Sequence, residues 1–117
     1  MTVRVTGVKE AEAALEWNAD AITEALARVV VEVAEAVKDE ARRQVPVDTG
    51  KLRDAIGVQV DGDTAEVFVA SDVHYAQFVE FGTSRRHATP FMGPAAEVER
   101  GNIEGRVEQA VKDAADG

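Results

Sequence analysis

The triplet Asp48-Thr49-Gly50 combines residue types that could do chemistry. Asp-Thr-Gly is the catalytic triplet of aspartic proteases, in which two aspartates share one proton across an all-β dimer, each within apolar sequence. Here a long helical pattern and Pro46 precede the triplet, and the charged residues 51–54 (KLRD) follow it. This context favours a turn between a helix and a strand, in which Asp48 or Thr49 bonds the backbone and Gly50 supplies a positive φ.

The two histidines are further candidates, either as metal ligands or as acid–base groups with Asp72 and Glu80 as partners. His74 lies six positions before Glu80 and His87 belongs to a separate loop, so no pair has the spacing that brings two ligands together on one helix. The sequence also has no cysteine, no Gly-rich phosphate loop and no Gly-x-Ser-x-Gly motif. We therefore expect exposed loop histidines, no metal or other cofactor, and no enzymatic activity.

The composition is acidic, with 22 Asp and Glu against 13 Lys and Arg and a formal net charge of −9. Such a balance argues against sequence-specific nucleic-acid binding and is typical of a solubilising surface. The charge is uneven, because residues 54–74 hold five acids and no base, whereas residues 75–96 hold Glu80, Arg85 and Arg86. Without cysteine, a signal-like N-terminus or eighteen consecutive apolar residues, the sequence predicts assembly in a cytoplasm and no membrane.

Apolar periodicity predicts a long amphipathic helix in the first half of the chain. From Asp20 onward, apolar residues recur at intervals of three and four with charged residues between them. The apolar set is Ile22, Leu26, Val29, Val33, Val37 and Ala41. Asn18 or Asp20 can cap the start and Pro46 disfavours a helical Val45, so the helix should span about 25 residues. Before it, residues 2–5 (TVRV) alternate like a strand and residues 8–17 favour a short helix.

The middle of the chain predicts a β-hairpin followed by a short helix. Two β-prone runs, Ile56 to Val60 and Ala65 to Ala70, flank the turn-forming segment Asp61-Gly62-Asp63. In residues 74–83 (HYAQFVEFGT), polar side chains recur every three positions, which predicts a short helix with Tyr75, Phe78 and Val79 on one face. Gly82 suits the left-handed residue that closes such a helix.

The end of the chain predicts a loop and a closing helix. Pro94 is well placed as the first residue of that helix, and a break at Gly101 with Asn102 as a new cap is the alternative. The order of elements predicts a single α+β domain over residues 1–117. We expect a long N-terminal amphipathic helix and a C-terminal helix packed on a small antiparallel β-sheet, with a short aromatic helix and an extended loop.

Residues 74–95 look least like the rest of the chain. The protein has one Trp, one Tyr and four Phe, and Tyr75, Phe78, Phe81 and Phe91 all fall here. An aromatic helix face, adjacent arginines and a proline-bracketed PFMGP segment are typical of protein interfaces. For Tyr75, Phe78 and Phe81 we favour the domain's own core, because a chain with few aromatics needs them there. The residues predicted to lie at a subunit or partner interface are Arg85, Arg86, His87, Phe91 and Met92.

Two motifs, residues 41–56 (ARRQVPVDTGKLRDAI) and residues 75–95 (YAQFVEFGTSRRHATPFMGPA), lie on either side of the hairpin. With the closing acidic helix, they resemble the tail-component family of long-tailed bacteriophages. Members are small neck or tail-completion proteins that join the DNA-filled head to the tail. The motif and structural positions carried over are Pro46, Thr49, Gly50, Leu52, Tyr75, Ala76, Phe78, Val79, Glu80, Phe81, Gly82, Thr83, Pro90, Phe91, Pro94 and Ala95.

The resemblance implies a structural virion protein of the head–tail neck. Such a protein would assemble as a sixfold or twelvefold ring that joins or completes the tail and lets double-stranded DNA pass. Implied neighbours are head-completion or connector proteins and tail-terminator or tail-tube proteins, with no cofactor, membrane or enzymatic activity. An acidic lumen would repel DNA phosphates and let the duplex slide. The alternative is an acidic protein-binding module, regulatory or antitoxin-like, with no virion role.

Overall fold

The computed structural model describes residues 2–6, 19–46, 50–62, 64–70 and 72–116. Within these residues it contains five helices and a three-stranded antiparallel sheet, which confirms the predicted α+β class. In chain order the elements are β1 (Thr2–Thr6), α1 (Ala19–Gln44), α2 (Lys51–Asp54), β2 (Ile56–Asp61), β3 (Thr64–Val69), α3 (Ala76–Phe81), α4 (Met92–Arg100) and α5 (Ile103–Asp116). The helix predicted over residues 8–17, and predictions for Asn18, Asp48, Thr49 and Asp63, lie outside the described residues.

The long helix α1 forms because one face of its sequence is apolar over most of its length. It begins one residue before the predicted Asp20, runs for 26 residues and ends just before Val45 and Pro46. The predicted stripe is buried, with exposed fractions of 5% or less, at Leu26, Val29, Val33, Val37 and Ala41. This face contacts the sheet and the two C-terminal helices, so α1 is the element against which they pack.

The sheet places β3 between β1 and β2, with both neighbours antiparallel to it. Val67 of β3 pairs with Val3 on one side and Val58 on the other. Val67 and Ala65 are fully buried, so this row of the pleat faces the core. Gly62, between β2 and β3, has a φ of +62°, as a tight hairpin turn requires. The predicted strand and the predicted hairpin are both confirmed.

The C-terminal part of the described chain is two helices rather than one. The helical pattern breaks at Gly101 and Asn102, which is the alternative that the sequence offered. The Asn102 carbonyl accepts the Arg106 amide at 3.1 Å and starts α5. Pro94 is the third residue of α4 rather than its first, but its missing N–H still falls in the turn where amides have no intrahelical partner.

Candidate interaction surface

Helix α3 turns its large aromatic residues outward. Tyr75, Phe78 and Phe81 are spaced three apart and are 38%, 47% and 74% exposed, and we call them the aromatic stripe. Ala76 and Val79 lie on the opposite, buried face. The prediction that Val79 shares a face with Tyr75 and Phe78 is therefore wrong. The expectation that the stripe fills the core is therefore wrong. The physical reason is that Glu80 lies on the buried face, where its carboxylate accepts backbone amides at the start of α4.

Glu80 is a buried carboxylate, 6% exposed, that holds the first turn of α4. Its Oε1 accepts the backbone amides of Phe91 at 3.0 Å and Met92 at 2.9 Å, and its Oε2 accepts the amide of Gly93 at 3.0 Å. The first amides of a helix have no intrahelical acceptor, and the positive end of the helix dipole favours an anion there. Glu80 thus caps a helix that begins twelve residues later, and it fixes which face of α3 points inward.

Phe91 and Met92 lie in the core and not at the surface. Their exposed fractions are 0% and 2%, and Phe91 is one of the largest fully buried side chains. The prediction that they are interface anchors is corrected by this burial, because neither side chain is available to a partner. Glu80 holds their backbone amides while their side chains take the core space expected for the stripe. Of the flanking prolines, Pro90 is exposed and Pro94 is half-buried.

Gly82 ends α3 in a conformation that only glycine adopts easily. Its φ is +77° with ψ 178°, so φ is positive as predicted although the residue is not in the left-handed helical region. Its amide donates to the Phe78 carbonyl at 2.8 Å. A Cβ here would lie 2.8 Å from the amide nitrogen of Ala88 and 3.0 Å from the carbonyl oxygen of Arg86. Any side chain would push the following loop away from the helix.

Residues 83–86 form a tight turn, which we call the arginine turn. The Thr83 amide donates to the Arg86 carbonyl at 2.9 Å, and the Arg85 amide donates to the Thr83 hydroxyl oxygen at 3.2 Å. Farther along, the Thr89 amide donates to the Val79 carbonyl of α3 at 2.8 Å. These bonds hold the arginine turn directly beyond the stripe, and Thr83 itself is exposed.

Arg85, Arg86 and His87 are exposed, as a partner interface requires. Among the described residues, neither guanidinium of the arginine turn has an ion-pair partner. Several other arginines do form ion pairs, for example Arg4 with Glu66 at 2.9 Å. The surface formed by the aromatic stripe and the arginine turn is therefore apolar at its centre and cationic at one end, on a chain whose net charge is −9.

A family model described as "Bacteriophage HK97-gp10, putative tail-component" matches residues 9–82, more than half of the chain. The chain belongs to this phage tail-component family. The resemblance inferred from the motifs is thereby confirmed, and with it a tail-related structural role among the proteins of a phage particle. Searches of curated proteins and of solved structures each found no match. The matched range of the tail component includes the aromatic stripe and ends at Gly82, just before the arginine turn.

The first motif lies inside the matched range and connects α1 to β2 of the tail component. Gly50 has a φ of +77°, the positive value predicted for it, and its carbonyl accepts the Asp54 amide at 2.9 Å. Leu52 is 6% exposed and Pro46 is half-buried. Thr49 lies outside the described residues. The surrounding α+β architecture differs from the all-β dimer in which an aspartic protease brings its two triplets together.

The described residues show no group of three His, Cys, Asp or Glu side chains placed to hold a metal ion. The His74 ring meets the Tyr75 ring edge-on, with centroids 6.5 Å apart. At the end of α1, hydrogen bonds from Arg43 and then Gln44 lower the pKa of the Glu40 carboxyl below its usual value. Of the helices described in the tail component, none has the length and apolar character to cross a membrane.

Proposed function

We propose that this tail component is a structural protein of the head–tail neck, which assembles as a sixfold or twelvefold ring and joins or completes the tail. The observation that carries the proposal is the exposed aromatic stripe beside two arginines that form no ion pair with the described residues, in a member of a tail-component family. The repeating unit of the ring is a single domain formed by residues 1–117. Its neighbours above and below are head-completion or connector proteins and tail-terminator or tail-tube proteins.

The stripe supports assembly because large exposed apolar side chains are unfavourable in water. Interface cores are enriched in aromatic residues and arginine, and monomers rarely expose a continuous apolar patch without a binding role. Tyr75, Phe78 and Phe81 make up half of the aromatic residues of the chain, yet all three are substantially exposed. Burial against another protein removes this apolar area from water and stabilises the assembly.

The arginine turn supplies the polar part of the same contact. Arg85 and Arg86 bind carboxylates of the adjacent subunit, and His87 lies at the edge of this contact. The acidic stretch from residue 54 to residue 72 is rich in such carboxylates. Arginine is suited to this role because its planar fork binds carboxylates through two parallel hydrogen bonds.

The acidic composition supports passage of double-stranded DNA through the ring. Several copies with a net charge of −9 each concentrate negative charge around one channel. A negative lumen repels DNA phosphates, so the duplex slides through without binding. The protein acts in the virion after assembly in the host cytoplasm, and it needs no cofactor, catalysis or membrane for this role.

Light scattering of the purified protein tests the proposal, in a concentration series at low and high salt, followed by negative-stain images of any large species. A closed ring of six or twelve copies that weakens at high salt is the expected result. A defined small complex with an acid-binding partner protein, and no ring under any condition, would instead favour the alternative of a regulatory binding module. Absence of the protein from purified particles of the phage or phage-like element that encodes it would refute the neck role.

A further inference from the structure

The sheet has two outer strands, and its hydrogen bonds show which backbone groups β2 presents at its outer edge. The Ala70 amide donates to the Ala55 carbonyl at 3.0 Å, one position beyond the β2–β3 ladder. Hydrogen-bonded and non-hydrogen-bonded pairs alternate along an antiparallel ladder. The backbone groups of Val58 and Val60 therefore point away from β3, toward the outer edge of β2.

The same alternation gives the groups at the outer edge of β1. Val67 of β3 stands opposite Val58 without bonding it, so its backbone groups point to the other side, where its partner is Val3. The groups of Thr2 and Arg4, on either side of Val3, then point away from β3.

The edge of β2 lacks the features that usually protect an exposed strand. Proline, lysine and bulges serve this purpose in many proteins, whereas the six residues of β2 (IGVQVD) contain neither residue and keep one register. Arg42 covers the first residue, because its Nη2 donates to the Ile56 carbonyl at 2.8 Å. No hydrogen bond from other described residues reaches the edge groups of Val58 or Val60. The Val60 side chain is 50% exposed although it lies on the core face of the sheet.

We propose that the β2 edge pairs in parallel with the β1 edge of a second copy of this chain, with residues 57–61 beside residues 2–6. The inference rests on the proposed ring and names a contact between its subunits. Strands β1 and β2 are both antiparallel to β3, so copies rotated about an axis along the strands bring them together in parallel. The Val60 amide then donates to the Arg4 carbonyl of the second copy, and the Arg4 amide of that copy donates to the Val58 carbonyl.

This register continues the apolar rows of the sheet from one copy to the next. On the core face, Val5, Ala65 and Val60 form one row across the three strands. Val5 of the second copy comes next in that row, so it covers the half-exposed Val60 and removes apolar area from water. A slip by one residue would turn the valines of β1 to the other face of the sheet.

The polar face of the sheet continues in the same way. Arg4, Glu66 and Gln59 form a row there, and Arg4 of the second copy follows Gln59. The Arg4 side chain is 67% exposed, and it uses Nε and Nη2 to bind Glu66 of its own chain at 3.1 and 2.9 Å. Its Nη1 hydrogens remain to donate to the Gln59 amide oxygen and to the nearby Asp61 carboxylate. Asp61 is exposed and forms no ion pair with the described residues.

Charge favours this pairing over the two symmetric ones. Arg4 is the one ionised residue of β1, and Asp61 is the one ionised residue of β2. Pairing β1 with β2 brings these opposite charges together, whereas either edge paired with itself brings like charges together. A contact between two different edges also repeats from copy to copy and closes into a ring, while a symmetric contact stops at a dimer.

The absence of cysteine from the chain allows a direct test by disulfide cross-linking. Val60→Cys and Val5→Cys are mixed in equal amounts under oxidising conditions. Adjacent strands lie about 4.8 Å apart, which is within the range that a disulfide spans, so the expected product is a cross-linked heterodimer. The matched control replaces Val60→Cys by Val98→Cys, at a valine of α4 that is 46% exposed, and should give only background.

Proline substitutions test the backbone hydrogen bonds themselves. Val60→Pro and Arg4→Pro each remove an amide that points away from β3, so the bonds within the chain stay intact. Each variant alone should form no ring, whereas an equal mixture should give a one-to-one complex, because one intact edge of each kind remains. Val98→Ala is the control and should assemble like the unchanged protein. Circular dichroism melts show whether each variant is folded, and the cysteine pair decides the question where a proline variant is not.

Three results would overturn the inference. They are no Val60–Val5 cross-link above the control, disulfide dimers of Val60→Cys alone in equal yield, or rings formed by folded Val60→Pro. The second result would indicate that β2 pairs with itself. Rings that persist with any of these results would reject only this contact and leave the proposed function standing. A cross-linked heterodimer from a protein that is absent from phage particles would reject the neck role and leave the contact standing.

Discussion

Replacing Glu80 should destabilise the fold far more than replacing any exposed acid on the same helices. Its buried carboxylate accepts three backbone amides, from Phe91, Met92 and Gly93. In Glu80→Ala these amides lose a charged acceptor at a site that is 6% exposed. Hydrogen bonds to charged groups are worth about 1.5–3 kcal/mol each and do not add fully, so we expect a loss of about 3–4 kcal/mol in the free energy of unfolding.

Glu80→Gln separates the charge from the shape of the side chain. The amide oxygen can keep the two bonds made by Oε1, but the amide nitrogen then faces the Gly93 N–H, donor against donor. Loss of one bond and of the favourable charge at the helix N-terminus should cost about 2 kcal/mol. The expected order of stability is therefore the unchanged protein, then Glu80→Gln, then Glu80→Ala.

Urea denaturation followed by far-ultraviolet circular dichroism measures these differences. The matched control is Glu97→Ala, since Glu97 lies on α4 and its side chain is 69% exposed in a surface ion pair with Arg100. Such a substitution should change the free energy of unfolding by about 0.5 kcal/mol or less. If Glu80→Ala costs no more than Glu97→Ala, the capping argument is refuted, and with it the reason given for the outward stripe.

Three further predictions concern neighbouring features of the fold. Phe91→Ala should lower the free energy of unfolding in urea by about 3–5 kcal/mol, whereas Phe78→Ala, at an exposed site, should change it by less than about 1 kcal/mol. Gly82→Ala should destabilise by about 1–3 kcal/mol in the same assay because of its positive φ and the 2.8 Å approach to the following backbone, while Gly105→Ala, in open space within α5, should stabilise by up to about 1 kcal/mol. The pKa of Glu40 in the folded protein is lowered from 4.5, so its contribution to stability is present at neutral pH and is lost as the pH falls through the folded pKa. In thermal melts, Glu40→Gln should therefore be less stable than the unchanged protein at pH 7 and equally stable near pH 2.

The elements that a local pattern determines were predictable from the sequence. The apolar stripe of α1 recurs over about five turns, and the partner against which a helix packs does not change which of its faces is apolar. The hairpin was predictable because two β-prone runs are separated by a short segment that contains Gly62. A connection this short with a glycine is typical of a β-hairpin turn. In both cases the signal lies within the element itself, and the observed packing agrees with it.

The orientation of α3 was not predictable from its own residues. Both of its faces contain apolar side chains, and a helix of six residues gives no clear amphipathic signal. The face that points inward is decided by a contact with the first turn of α4, eleven to thirteen residues farther along. Ala76, Val79 and Glu80 do share one face of α3, but this spacing alone does not indicate whether that face points inward.

The hydrogen bonds of Glu80 also explain why the predicted roles were reversed, with the stripe at the surface and Phe91 and Met92 in the core. A chain with few aromatics was expected to bury those with helical spacing and to expose those in a proline-bracketed loop. Glu80 instead places the loop residues at the start of α4, where Phe91 enters the core and leaves no need for the stripe there. The small number of aromatic residues in the chain limits how many can lie in the core. The hydrogen bonds between Glu80 and the start of α4 decide that Phe91 is one of them.

This arrangement separates the residues that fold the tail component from those available for assembly. Phe91 and Met92 stabilise the core whether or not a partner is present, while Phe81 and the arginine turn contribute little to the isolated chain. Glu80 belongs to both groups, because it stabilises α4 and also fixes the outward direction of the stripe. A substitution at Phe81 should therefore abolish assembly at unchanged stability, and a substitution at Glu80 should weaken both. If Glu80→Gln lowered stability but left ring formation intact at temperatures below its melting transition, the orientation of α3 would not depend on the cap.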